Sequence, residues 1–96
     1  MKTLAELKRR IKLGTKIVKK DSRYLNEVGW TNKFDSTLFK VRTVDHVQGN
    51  AFTMDGSWLY WQPASDYEID GDVFSVFYRG SEHTHNNLIG TYEIVH

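Results

Sequence analysis

Glu82, His83 and His85 put a carboxylate and two imidazoles within four residues, the ligand types that a transition ion takes. A metal site needs such groups to converge from separate pieces of chain. No second ligand pair stands at a recognisable spacing, and His46 and His96 are scattered. The histidines are expected to be solvated in a polar loop, with neither metal nor cofactor bound. A hydrolase would need a nucleophile, a base and an orienting acid, and Ser57, Ser75 and Ser81 lie in no G-x-S-x-G elbow. The seven glycines are dispersed at turn positions, so no loop of them cradles a phosphate. With no assembled set of catalytic roles, the expectation is a protein that binds rather than one that catalyses.

Three sets of side chains have the chemistry to bind. Ser57-Trp58-Leu59-Tyr60-Trp61 puts Trp58 and Tyr60 on one face of a strand and Leu59 and Trp61 on the other. Either Leu59 and Trp61 pack inward while the other pair covers the end of a barrel, or Trp58 and Tyr60 form a platform for a stacked base or a protein anchor. Asp66, Glu68, Asp70 and Asp72 alternate with Tyr67, Ile69, Gly71 and Val73. In extended chain these carboxylates project from one side about 6.8 Å apart, a spacing compatible with mimicry of nucleic acid. A turn at Asp70-Gly71 would split the row and leave ordinary solubilising acids. The third set is basic: Lys8, Arg9, Lys12, Lys16, Lys20, Lys40 and Arg42. It suits phosphates or an acidic partner, or else a solvated face over a docked apolar stripe.

The elements that position these groups are marked in the pattern. Thr3-Leu4-Ala5-Glu6 reads as a capping box, because the Thr hydroxyl accepts an amide of the first turn while the Glu reaches back to the cap amide. Leu4, Leu7 and Ile11 recur at helical spacing, and Gly14 suits a left-handed end, predicting a basic helix of about three turns within residues 1–14. A short strand over Thr15–Lys20 follows, then a turn-rich loop over 21–37 whose Trp30 and Phe34 are expected to fold onto the sheet. Leu38–Val47 is the best strand, with Phe39 and Val41 in phase and Lys40 and Arg42 opposite, and the drift at Val44 and Val47 suggests a bulge.

Gln48-Gly49-Asn50 turns the chain into Ala51–Met54, and Asp55-Gly56 is a hairpin signal leading into Ser57–Trp61, which Pro63 ends. Ala64–Tyr67 reads as a turn or a single helical turn before Glu68 and Ile69. Asp70-Gly71 then leads into a central strand over Val73–Tyr78, a polar loop over Arg79–Gly90 and a last strand over Thr91–Val95. The fold class is α+β and mainly β: a helix (1–14) followed by a small antiparallel SH3-like barrel of five or six strands (15–96), with an oligonucleotide-binding-type barrel as the alternative.

Composition is consistent with one modest domain. The 96 residues are 40% hydrophobic and 14% aromatic, enough for one core, and contain no cysteine to form disulfides. The start of the chain has neither a signal peptide's apolar run nor a membrane span, so the expected location is the cytoplasm. A net charge of +1 conceals a division: residues 1–42 carry +8, from twelve Lys/Arg and four acids, and residues 43–96 carry −7, from Arg79 and eight acids.

The segments Val41-Arg42-Thr43-Val44, Gln48-Gly49-Asn50-Ala51-Phe52, Ser57-Trp58-Leu59-Tyr60-Trp61-Gln62-Pro63-Ala64 and Asp70-Gly71-Asp72-Val73-Phe74 resemble small uncharacterised phage and prophage proteins of Gram-positive bacteria. That class includes inhibitors of CRISPR nucleases and of other defence systems. The resemblance implies a non-enzymatic protein that binds and modulates a host protein or defence complex in the host cytoplasm, through the basic helix, the Trp58 and Tyr60 face, or the acidic row at Asp66 and Glu68. Two alternatives stand beside it: a nucleic-acid-binding module built on the basic residues and an aromatic platform, and a structural protein whose oppositely charged halves join copies head to tail.

Overall fold

The computed structural model describes residues 1–23 and 37–96, so the expected packing of Trp30 and Phe34 lies outside the described residues. The described residues form one short α-helix, α1 (Leu4–Arg10), a 3-10 turn at His85–Asn87, and seven strands: β1 (Lys16–Asp21), β2 (Val41–Gln48), β3 (Ala51–Met54), β4 (Ser57–Tyr60), β5 (Ser65–Asp70), β6 (Val73–Tyr78) and β7 (Leu88–Val95). The mainly β architecture with an N-terminal helix is as the pattern predicts.

The capping box forms: the Thr3 hydroxyl accepts from the Glu6 amide, and the Glu6 carboxylate accepts from the Thr3 amide. The helix stops at Arg10, earlier than Gly14, because Ile11 already has extended backbone. Gly14, at φ +89, instead turns the chain into β1, and its amide donates to the Val44 carbonyl. Leu7 and Ile11 are fully buried, so a helix too short to persist in isolation is held by its apolar stripe.

The strands make a single antiparallel sheet in the order β4-β3-β2-β1-β7-β6-β5. β1 is the central strand, with Ile17 opposite Arg42 on β2 and opposite Ile94 on β7. Two meanders flank it, β2-β3-β4 on one side and β5-β6-β7 on the other. The edge strands β4 and β5 are six strand spacings apart, about 29 Å in a flat sheet. The five residue steps from Tyr60 to Ser65 span at most about 18 Å. The sheet must therefore curl. Its inner face and α1 enclose a core that includes Ile17, Val44, Phe52, Met54, Leu59, Trp61, Phe74, Val76, Tyr92 and Ile94.

The curl stops short of a closed barrel. Among the described residues no ladder joins β4 to β5 and the strands number seven, so the expected antiparallel, mainly β sheet is present but is not closed into the SH3-like barrel of five or six strands. The additional strand is β5, which pairs with β6 from Ser65 opposite Tyr78 to Asp70 opposite Val73. Its opening residues are weak strand formers, so pairing with the apolar β6 is what makes them extended.

β2 also departs from expectation. It begins at Val41, because Phe39 adopts φ +63 and interrupts the extended run. The phase is reversed as a result: Phe39 and Val41 are exposed, while Arg42 is buried on the inner face with Val44. The expected bulge is present between Val44 and His46. Among the described residues, no helix is long and apolar enough to cross a membrane.

Candidate binding surface

The β2-β3-β4 meander sets the outward side chains in rows, because cross-strand partners share a face. One row is His46, Thr53 and Trp58, and the next is Gln48, Ala51 and Tyr60. Leu59 and Trp61 point inward and are 5% and 3% exposed, whereas Trp58 and Tyr60 remain 47% and 46% exposed. The rings of Trp58 and Tyr60 lie nearly parallel, 18° apart, with centroids separated by 6.1 Å. Beneath them Ala51 and Thr53 are buried, and their small side chains let the large rings lie over the middle strand.

Polar groups line one side of this pair. The His46 ring meets Trp58 edge-on at 5.7 Å, and its Nε2 is 3.2 Å from Gln48 Oε1. The Gln48 amide donates to Asn50 Oδ1 at 2.8 Å, and the Thr53 hydroxyl donates to the Asp45 carboxylate. Position in the chain does not announce this flank, which depends on the bulge that carries Asp45 and His46. The surface thus combines exposed apolar area with hydrogen-bonding groups.

The basic set is not brought together. Lys8 and Arg9 are exposed on α1, with Lys8 Nζ 5.7 Å from the Trp61 ring and Arg9 beside Met1, Glu6 and Arg10 along a shallow groove. Lys12 is exposed just after the helix. Lys16 stands exposed opposite Thr43, on the same outer face as Trp58 and Tyr60 but three strands away. Lys20 is ion-paired with Glu93 at 3.6 Å. Lys40 is exposed beside Phe39, and Arg42, expected on the surface with it, is only 8% exposed on the opposite face.

The acidic row divides where the turn at Gly71, φ +63, reverses the chain. Asp66, Glu68 and Asp70 alternate along β5. Asp72, past the turn, accepts from His96 Nε2 at 2.7 Å, and Asp70 pairs with Lys2 at 2.9 Å. Asp66 and Glu68 are engaged by His83, whose nitrogens lie 3.4 Å and 2.9 Å from them, and the ring stacks on Phe77 at 4.4 Å. The bond to Glu68 is the largest influence holding the His83 imidazole above its ordinary pKa, with a further rise from Asp66 and partial opposition from burial. His85 Nε2 likewise lies 3.0 Å from the Asp21 carboxylate.

His83 stands exposed and His85 partly so, and each of these two rings also has a carboxylate partner remote in sequence. Among the described residues, no group of three or more His, Cys, Asp or Glu converges to hold a metal ion. Comparison with known proteins finds no matching family model, no similar curated protein and no similar solved structure.

Proposed function

We propose that this chain is a non-enzymatic binding module whose partner is a protein, docked on the outer face of β4 through Trp58 and Tyr60. The observation that carries this reading is the exposed, nearly parallel ring pair on an edge strand, bordered by His46, Asp45 and Gln48. Large aromatics that are held in place before binding lose little conformational freedom on docking and dominate interface energetics. The resemblance to phage and prophage proteins suggests a host protein or defence complex as the partner class, and modulation of that partner as the outcome. The experiment is capture from a Gram-positive host lysate by immobilised wild type and by W58S/Y60S. A protein retained by wild type and lost from the double variant is the expected result. Identical captures from the two would overturn the assignment of the site.

Lys16, on the same outer face as the rings, supports a second reading in which single-stranded nucleic acid stacks on Trp58 and Tyr60. The dispersal of the other bases and the carboxylate at Asp45 favour the protein partner. Binding of labelled single-stranded DNA or RNA at about 50 mM salt that weakens steeply by about 200 mM would reverse that preference.

A further inference from the structure

The β2-β3-β4 meander that carries Trp58 and Tyr60 has one sign of charge on its surface. From Val41 to Tyr60 the charged side chains are Arg42, Asp45 and Asp55. Arg42 is buried on the inner face with Val44, which leaves two exposed carboxylates and no exposed Lys or Arg in the meander. Asp45 stands beside the ring pair: it accepts from the Thr53 hydroxyl, and Thr53 is the cross-strand partner of Trp58. Asp55, at the turn between β3 and β4, accepts from the Thr43 amide through one oxygen. No described base forms an ion pair with either acid, including Lys16, which stands opposite Thr43 on the same outer face. A carboxylate next to two exposed aromatic rings attracts a cation twice, by its own charge and by the negative faces of the rings. An anion on the same rings would be repelled by Asp45, and a purely apolar ligand would strip it of water without return.

Resting on the protein-binding reading of this ring pair, we infer that the partner segment docked there carries an arginine, with its guanidinium on the Trp58 and Tyr60 rings and its N–H groups turned to the Asp45 carboxylate. A guanidinium suits both halves of the surface. It is flat and weakly hydrated, so it stacks on a ring, and its fork of donors matches a carboxylate. Trp58, 47% exposed, is the aromatic type on which a cation is held best. The rings supply the area and Asp45 selects what lies on them.

The probe is the peptide acetyl-Gly-Arg-Gly-amide, with its citrulline counterpart as an uncharged isostere, both titrated into the full chain. Binding is followed at the Trp58 indole N–H resonance, assigned from its loss in W58F. A saturable shift is expected with the arginine peptide at a dissociation constant on the order of millimolar, and at least about threefold weaker binding of the citrulline peptide. D45N keeps an oxygen for the Thr53 hydroxyl and is expected to weaken arginine binding by about threefold. E82Q, which removes an exposed carboxylate from the loop between β6 and β7, is expected to leave it unchanged. Equal responses to the two peptides, no response to either, or equal affinity in wild type and D45N would overturn the arginine contact. If D45N does not fold, the contrast between the peptides decides. Capture from the host lysate separates the two assignments: a protein held alike by wild type and D45N but lost from W58S/Y60S keeps the docking site and overturns the arginine contact, whereas a protein held by W58S/Y60S as by wild type overturns the docking site itself.

Discussion

The hydroxyl of Tyr67 on edge strand β5 donates to the backbone carbonyl of Tyr60 on edge strand β4 at 2.8 Å. This bond fastens the two ends of the curled sheet where no ladder joins them. The adjoining Trp61 and Tyr67 rings, with centroids 5.6 Å apart, cover the seam from inside. Y67F should cost about 1 kcal/mol, the usual net worth of one such bond, measured by denaturant unfolding. Burial also drives the Tyr67 phenol well above its ordinary pKa, so spectrophotometric titration should show it still protonated where exposed tyrosines have ionised.

His83 makes stability depend on pH in a definite direction. Its folded-state pKa is raised above the ordinary 6.5, chiefly by the bond to Glu68, so its contribution is fully present below 6.5 and is lost as pH rises through the folded value. The difference in melting temperature between wild type and H83Q should be largest on the acid side and shrink toward alkaline pH. A difference that grows with pH would contradict this coupling.

Asp72 works in the opposite sense. The bond from His96 holds its carboxyl below the ordinary 3.8, so its contribution is present above 3.8 and disappears as pH falls through the folded value. D72N should bring the wild-type and variant acid-unfolding curves together at low pH and separate them above it.

The capping box fastens α1, which carries Leu7 into the core. T3A removes the oxygen that accepts from the Glu6 amide and should cost about 1 kcal/mol in chemical denaturation. T3S keeps the acceptor and should restore most of the loss.

Gly90 is glycine because of its neighbours on the inner face. A Cβ there would lie 2.6 Å from Lys19 Cε and 2.8 Å from the Tyr92 ring. G90A should destabilise by roughly 1–3 kcal/mol, as overpacking does, seen as a lower unfolding midpoint. The Tyr92 ring should also shift in its NMR resonances.

The features legible in the sequence are those whose cause is local. Thr3 and Glu6 are three residues apart and satisfy each other's amides within one turn, whatever the rest of the chain does. Asp55 and Gly56, at φ +49 and +83, adopt the left-handed pair that their residue types favour in a two-residue hairpin. The alternation in Ser57–Tyr60 places Trp58 and Tyr60 on one face and Leu59 on the other, which the sequence by itself determines once the segment is a strand. Which face looks outward was decided by the tertiary structure, because it depends on which side of β4 the curl encloses.

Tertiary structure also decided the features that depend on distant pairing. Insertion of β1 between β2 and β7 sets the register that leaves Arg42 facing inward opposite Ile17, against the phase that Phe39 and Val41 suggest. β5 is extended because β6 supplies its partners, and that strand in turn sets Asp66 and Glu68 where His83 reaches both. No spacing along the chain records such meetings. They arise when the four-residue link from Tyr60 to Ser65 draws the edges of a seven-stranded sheet toward one another, and a short tether can be obeyed only by bending the whole sheet.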